Sequence, residues 1–345
     1  MKTDALRAAL FLAIIVFIQW AVLPTGGAAH LFSSQRGRAK GARPSSSKSR
    51  AIVGSEPSTA ETLPARPTAE TMPAPARLHE TEGRGLLVKV WVNGIGDFNF
   101  ALDTGAGATI LSPRVAGAAQ VEVESGARGI EVGGLSGLSV AGGRKAFTHS
   151  IAVGTSENFL PSQGLVIVAE GLPPDADGIL DPTEVYAPLG YVIDLPGGEL
   201  SAFDPRRFPV RLAEAQRDAA IVPWLTDGST RRPFVMLGEG RRALLDTGSG
   251  LGLAVNESSA GALGIAVGIG ARERDSTRDL AGGRISSRRV SAATVHIGAL
   301  VLRGVPTDVL LSAQRDAPVL LGRDALRPFR ITFDPLNRLI MFESL

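Results

Sequence analysis

The sequence predicts an all-β protein of two lobes, and three observations carry that prediction. Short apolar or β-branched runs recur between turn residues, with 41 Gly and 22 Pro in 345 residues and only 5% aromatics, which favours many short strands over long helices. The length exceeds what one core usually encloses, so two compact regions and a tail are expected. The same tripeptide also closes two separate apolar runs, as Asp103-Thr104-Gly105 and as Asp246-Thr247-Gly248.

The chain opens with a basic leader. Lys2 and Arg7 precede an apolar run of sixteen residues, Ala8 to Leu23, broken only by Gln19 and followed by the small residues Gly27 and Ala29. That length falls between a signal-peptide core and a membrane-spanning helix, so residues 1–29 read either as a removable signal peptide or as a membrane anchor through residues 8–23. The location expected is extracytoplasmic, either anchored or periplasmic or secreted after cleavage. Arg36, Arg38, Lys40 and Arg43 pull the other way, because in an uncleaved chain they favour cytoplasmic retention of the downstream residues. Residues 30–82 are rich in Ser, Pro, Ala, Arg and Thr without apolar periodicity, as in a disordered linker or pro-segment.

Charge divides along the same boundary. Residues 1–50 hold eight Lys/Arg against one acid, a formal +7, and the remainder holds 28 against 33, a formal −5. The body therefore lacks the basic excess of a nucleic-acid binder. The absence of cysteine removes disulfides, thiolate nucleophiles and cysteine-ligated zinc.

The first lobe is expected over 83–209. Leu86 to Val92 alternates as a strand, and Asn93-Gly94 turns it into Phe98 to Leu102, which delivers Asp103 at a strand end. Ala106-Gly107-Ala108 then allows close backbone approach, before Thr109 to Leu111 resumes strand character. Tyr191 to Asp194 and Glu199 to Phe203 flank Pro196-Gly197-Gly198 as a closing hairpin. The second lobe, over 210–345, repeats the order: Phe234 to Leu237, a Gly238-Glu239-Gly240 turn and Ala243 to Leu245 deliver Asp246. The two aspartates are 143 residues apart, Ile179 follows the first by 76 and Leu320 follows the second by 74. Such matched landmarks indicate an internal duplication.

With those residues in place, the chain resembles the aspartic proteases of the pepsin and retropepsin superfamily, in a bacterial retropepsin-like form with both loops in one chain. Hydrophobic-hydrophobic-Asp-Thr-Gly-Ala/Ser is that family's catalytic loop, and Leu320-Leu321-Gly322-Arg323-Asp324 matches the segment that packs behind it. The resemblance implies a bilobal, pseudo-two-fold all-β fold with short helices only, complete as a monomer. It implies catalytic Asp103 and Asp246, with loop support from Thr104, Gly105, Ala106, Thr247, Gly248 and Ser249. It also implies substrate-covering flaps, for which Gly133 and Gly134 in the first lobe and Gly282 and Gly283 in the second are the candidates. Two departures stand out: Asp181-Pro182 replaces the final Gly of the first supporting segment, and no Tyr precedes Tyr186, so the pepsin-type flap Tyr is missing.

Two carboxylates brought together cannot both ionise freely, so the pair would hold one proton and activate a water toward a peptide carbonyl, with no metal and no cofactor. Ser249, whose hydroxyl could reach Asp246, is expected to make that residue the more readily ionised member. The expected activity is aspartic endopeptidase cleavage of a peptide or protein substrate. The alternatives are a non-catalytic peptide-binding protein on the same fold and a structural β-rich envelope protein. Gly248-Ser-Gly-Leu-Gly252 resembles part of a dinucleotide fingerprint, but its acid precedes the glycines and no helix follows. The four histidines show no zinc-ligand spacing, and no Gly-x-Ser-x-Gly elbow occurs.

Overall fold

A computed structural model describes residues 17–18, 72–81, 85–125, 129–136, 139–162, 164–172, 176–214, 219–228, 230–238, 240–267, 272–278, 283–311, 313 and 317–344. Strands dominate these residues, and the helices are four and short, none reaching seven residues. The fold is all-β. Among the described residues no helix is long and apolar enough to cross a membrane. Of the leader, only Phe17–Ile18 is described; it pairs antiparallel with Val132 and Gly133.

The strand Gly85–Val92 runs into Ile95–Leu102 through Asn93 and Gly94, at φ +51° and +79°. Two consecutive left-handed residues match the twist of the flanking strands, which is why Asn-Gly makes this turn. Behind Asp103, Gly178–Leu180 lies parallel to Ile95–Leu102 and antiparallel to Ile110–Leu111, which itself lies parallel to Leu165–Val168. The second half repeats this arrangement. Val319–Gly322 lies parallel to Arg241–Asp246 and antiparallel to Leu253–Asn256, which lies parallel to Leu300–Leu310. Each aspartate thus ends a central strand buried between neighbours, and the apolar runs Ala101–Leu102 and Ala243–Leu245 are 0–1% exposed.

The closing hairpins of the halves meet edge to edge. Gly190–Asp194 pairs with both Glu199–Phe203 and Phe329–Asp334, and Phe329–Asp334 pairs in turn with Leu339–Ser344. Tyr191 stacks on Phe333 at 4.5 Å between centroids, and Trp224 meets Phe333 edge-on at 5.8 Å. These aromatic contacts add to the area they bury and reinforce the junction between the closing hairpins.

One boundary differs from the sequence expectation. Ala76–Thr81, within the segment read as linker, is a strand paired with Gly85–Val92 and, at Ala76 and Arg77, with Glu199–Phe203. Its alternation is short and mostly polar, and only Ala76 and Leu78 are buried. Long-range pairing, which local pattern does not encode, makes it a strand.

Candidate active site

The two tripeptides meet through their threonines. Thr104 Oγ1 donates to the carbonyl of Leu245 at 2.6 Å and accepts the amide of Thr247 at 3.2 Å. Reciprocally, Thr247 Oγ1 donates to the carbonyl of Leu102 at 3.0 Å and accepts the amide of Thr104 at 3.1 Å. Both threonines are 0% exposed. On each side a hydroxyl, an amide and a leucine carbonyl are thereby satisfied by the facing loop, and separating the loops inside the protein would leave them unpaired at a full desolvation cost.

This clasp sets the carboxyls side by side. Asp103 and Asp246 are 0% exposed. Gly105 N–H donates to Asp103 Oδ1 at 2.7 Å, and Ser249 N–H donates to Asp246 Oδ1 at 2.9 Å. Oδ2 of each is buried and, among the described residues, accepts from no N–H or hydroxyl, and the two carboxyls lie within hydrogen-bonding reach of each other. A Cβ on Gly105 would sit 3.1 Å from Asp246 Cγ and 3.2 Å from Asp103 Oδ1. Both carboxyls therefore border one point of backbone, and a side chain at 105 would push them apart. Ala106 is fully buried, in the apolar cluster with Ile110 and Ile179 beneath the first loop.

The pair is not symmetric. Burial pushes Asp103 far above the usual carboxylate range, and the charge of Asp246 adds to that rise against the lowering bond from Gly105. Burial raises Asp246 only to about 6, because the amides of Ser249 and Gly248, hydrogen bonding from Asp103 and the charge of Arg323 oppose it. The amides and the Arg323 charge beside Asp246 favour the ionised form there over Asp103. The cause differs from the one expected: the Ser249 amide, and not its hydroxyl, serves Asp246, while Ser249 Oγ accepts the amide of Leu251 at 3.3 Å.

Arg323 contributes a role that the sequence did not reveal. Its Nη1 donates to the carbonyls of Thr247 at 2.7 Å and Gly248 at 3.0 Å, which fixes the second loop from behind. Its Nε faces Glu80 Oε1 at 3.7 Å, and Glu80 forms a two-bond pair with Arg327 at 2.6 and 2.8 Å. The strand Ala76–Thr81 is tied to the second aspartate loop by this chain of contacts. The signal in the sequence was Gly322-Arg323-Asp324, but the partner lay over 240 residues away.

In the first half Asp181 takes the corresponding place, and the first loop keeps its support. The Asp103 amide still donates to the carbonyl of Leu180 at 3.0 Å. Asp181 is the N-cap of Pro182–Val185, accepting the Thr183 amide at 2.9 Å, with Pro182 at the first helical position where its missing N–H costs nothing. Burial, helped by the charge of Glu184, pushes its carboxyl up to about 8. A carboxyl raised on folding is protonated longer in the native state, so stability falls as pH climbs from the unfolded value towards 8. Asp181→Asn keeps the cap acceptor but cannot ionise. It is expected to shrink the drop in Tm between about pH 5 and pH 8; an unchanged drop would contradict the assignment.

The candidate flap residues fall differently. Gly133 and Gly134 are buried at the end of the strand Ile130–Gly133, which forms a hairpin with Ser139–Phe147. Beyond them Leu135 is 0% exposed and belongs to the apolar cluster of Phe234, Leu244 and Ile285, so this hairpin reaches the second half. Gly283 is buried ahead of the strand Arg284–Ile297, whose antiparallel neighbour is Arg272–Arg278. Gly282 lies outside the described residues.

No curated protein matches the chain. Residues 234–325 match the family model described as aspartyl protease, a span that holds Asp246-Thr247-Gly248, Ser249 and the Gly322-Arg323 support. Over its second aspartate loop and the strand that supports it, the chain is thus similar to the aspartyl protease family.

Proposed function

We propose that the protein is an aspartic endopeptidase that hydrolyses peptide bonds with a water activated between Asp103 and Asp246. The observation that carries this reading is the reciprocal threonine clasp, which holds two buried carboxyls at one point with one oxygen of each free of any N–H or hydroxyl donor. Ionised Asp246 takes a proton from water as its oxygen attacks the carbonyl carbon, while protonated Asp103 gives its proton to the carbonyl oxygen. On collapse the diol returns a proton to Asp103, the C–N bond breaks, and Asp246 passes its proton to the departing nitrogen. The pair ends in its starting state, with no covalent intermediate.

The chain reads as an internal duplication in which each half, 83–209 and 210–345, supplies one aspartate. The repeated parallel and antiparallel pairings behind the two loops support that reading. Asp181-Pro182 and the missing flap Tyr are the departures that keep a non-catalytic binding protein in view, and the geometry at Asp181 leaves the first loop supported. Export or membrane tethering rests on the apolar run 8–23 and is tested by cell fractionation with mass spectrometry of the mature N-terminus. The activity itself is tested by incubating the full chain with a mixed peptide library from about pH 4 to pH 8. Internal cleavage is the expected result, and intact peptides throughout would count against the reading.

A further inference from the structure

Away from the aspartate pair, a cavity of about 320 Å³ opens among four separate segments of the chain. Arg206, Arg231 and Arg338 line it together with Trp224, Pro188 and Leu336, and among the described residues no carboxylate does. The acids in the same loops are engaged elsewhere. Asp204 accepts the Arg206 amide at 2.9 Å, Asp334 accepts the amides of Val210 and Asn337 at 3.0 and 2.8 Å, and Asp227 holds Thr230 and Arg232. Three arginines thus share one concavity whose walls include a largely buried indole, 5% exposed.

The pocket also adjoins the site. Arg231 lines a second cavity, of about 360 Å³, together with Gly107 and Ala108 of the Asp103 loop and Ile130 of the first hairpin. The loop bearing Arg231 is fixed against the Asp103 loop: a Cβ on Gly107 would lie 3.4 Å from both Arg232 Cδ and Thr230 Cγ2. A chain leaving the Asp103 loop along the second cavity arrives at Arg231.

We propose that the three-arginine pocket is an exosite that receives an acidic segment of the peptide substrate, an assignment that rests on the endopeptidase reading. Guanidinium forks match carboxylates in charge and geometry. Trp224, Pro188 and Leu336 offer apolar surface to the methylene stems of Glu side chains. A small inorganic anion would use the charge but leave those walls unfilled. Three guanidinium groups in one concavity also steer acidic chains to it, although Glu184 lines the adjoining cavity beside Arg231.

The test uses the full chain carrying Asp103→Asn, so that bound peptide is not consumed. It is titrated with a labelled peptide whose apolar half is followed by three Glu, with the same peptide carrying Gln, and with inorganic phosphate, read by anisotropy and Trp fluorescence. The Glu peptide is expected to bind about 10-fold tighter than the Gln peptide, with the gap closing as salt rises. Adding Arg206→Ser and Arg338→Asn should remove the gap and leave the affinity for the Gln peptide unchanged. Arg338 has φ +53°, which Asn tolerates. Arg231→Ser in the same background is a second, independent variant and should narrow the gap. Equal affinities at low salt, a gap that survives all three substitutions, or phosphate binding as tightly as the Glu peptide would overturn the assignment. Failure of the enzyme reading is separate: an unsubstituted chain that binds acidic peptide through these arginines and never cleaves it keeps the exosite and loses the protease.

Discussion

Replacing either Asp103 or Asp246 by Asn is expected to lower kcat on a cleaved peptide by about 10⁴-fold while KM changes little. The size follows from the division of labour. In Asp246→Asn no group takes the proton from water, and in Asp103→Asn none delivers one to the carbonyl oxygen. Asn preserves shape, and its carbonyl still accepts the Gly105 or Ser249 amide that now serves Oδ1. The fold should survive, because the apolar strands behind both residues are untouched. Stability is expected to rise slightly at neutral pH, since one of the two buried ionisable groups has been removed. Retained cleavage in either variant, measured with purified protein and inhibitor controls, would remove that residue from the mechanism.

Thr247→Val is expected to cost about 2–4 kcal/mol of stability in urea titration. Valine fills the same space but leaves the Thr104 amide without its acceptor at 3.1 Å and the Leu102 carbonyl without its donor at 3.0 Å, inside a region with no exposure. Both bonds join residues more than 140 apart in sequence, so the loss also loosens the register that places the carboxyls together. Activity should therefore fall beyond the fraction unfolded. A stability change below about 0.5 kcal/mol would show that the clasp is not the joint described.

The parts legible in the sequence were those written locally. Asn93-Gly94 and Pro196-Gly197-Gly198 specify their turns through backbone conformations that few other pairs adopt, and both hairpins stand where these signals placed them. The two aspartates stood out because the same tripeptide follows two matching hairpins, with nearly equal spacing to the segment behind each. What escaped depends on contacts across the chain. Arg323 reads as one residue of a short motif until Thr247, Gly248 and Glu80 are brought around it. Ala76–Thr81 reads as linker because two buried side chains carry little pattern. Asp181 reads as a lost glycine, yet a carboxyl capping a proline-led turn fills the same place by other means. The arginines of the exosite come from positions 206, 231 and 338, and no local pattern joins them.

The asymmetry of the pair gives the most direct test of catalysis by two aspartates, the pH dependence of kcat/KM for a cleaved peptide. The proposed mechanism needs Asp246 ionised and Asp103 protonated. Asp246 titrates near 6 and Asp103 lies well above its usual range, so the rate should rise as pH climbs through about 6 and fall at higher pH as Asp103 loses its proton. A single bell with its acid limb near 6 is the expected result, and a rate that is flat or rises steadily from acid to alkaline pH would contradict catalysis by this aspartate pair.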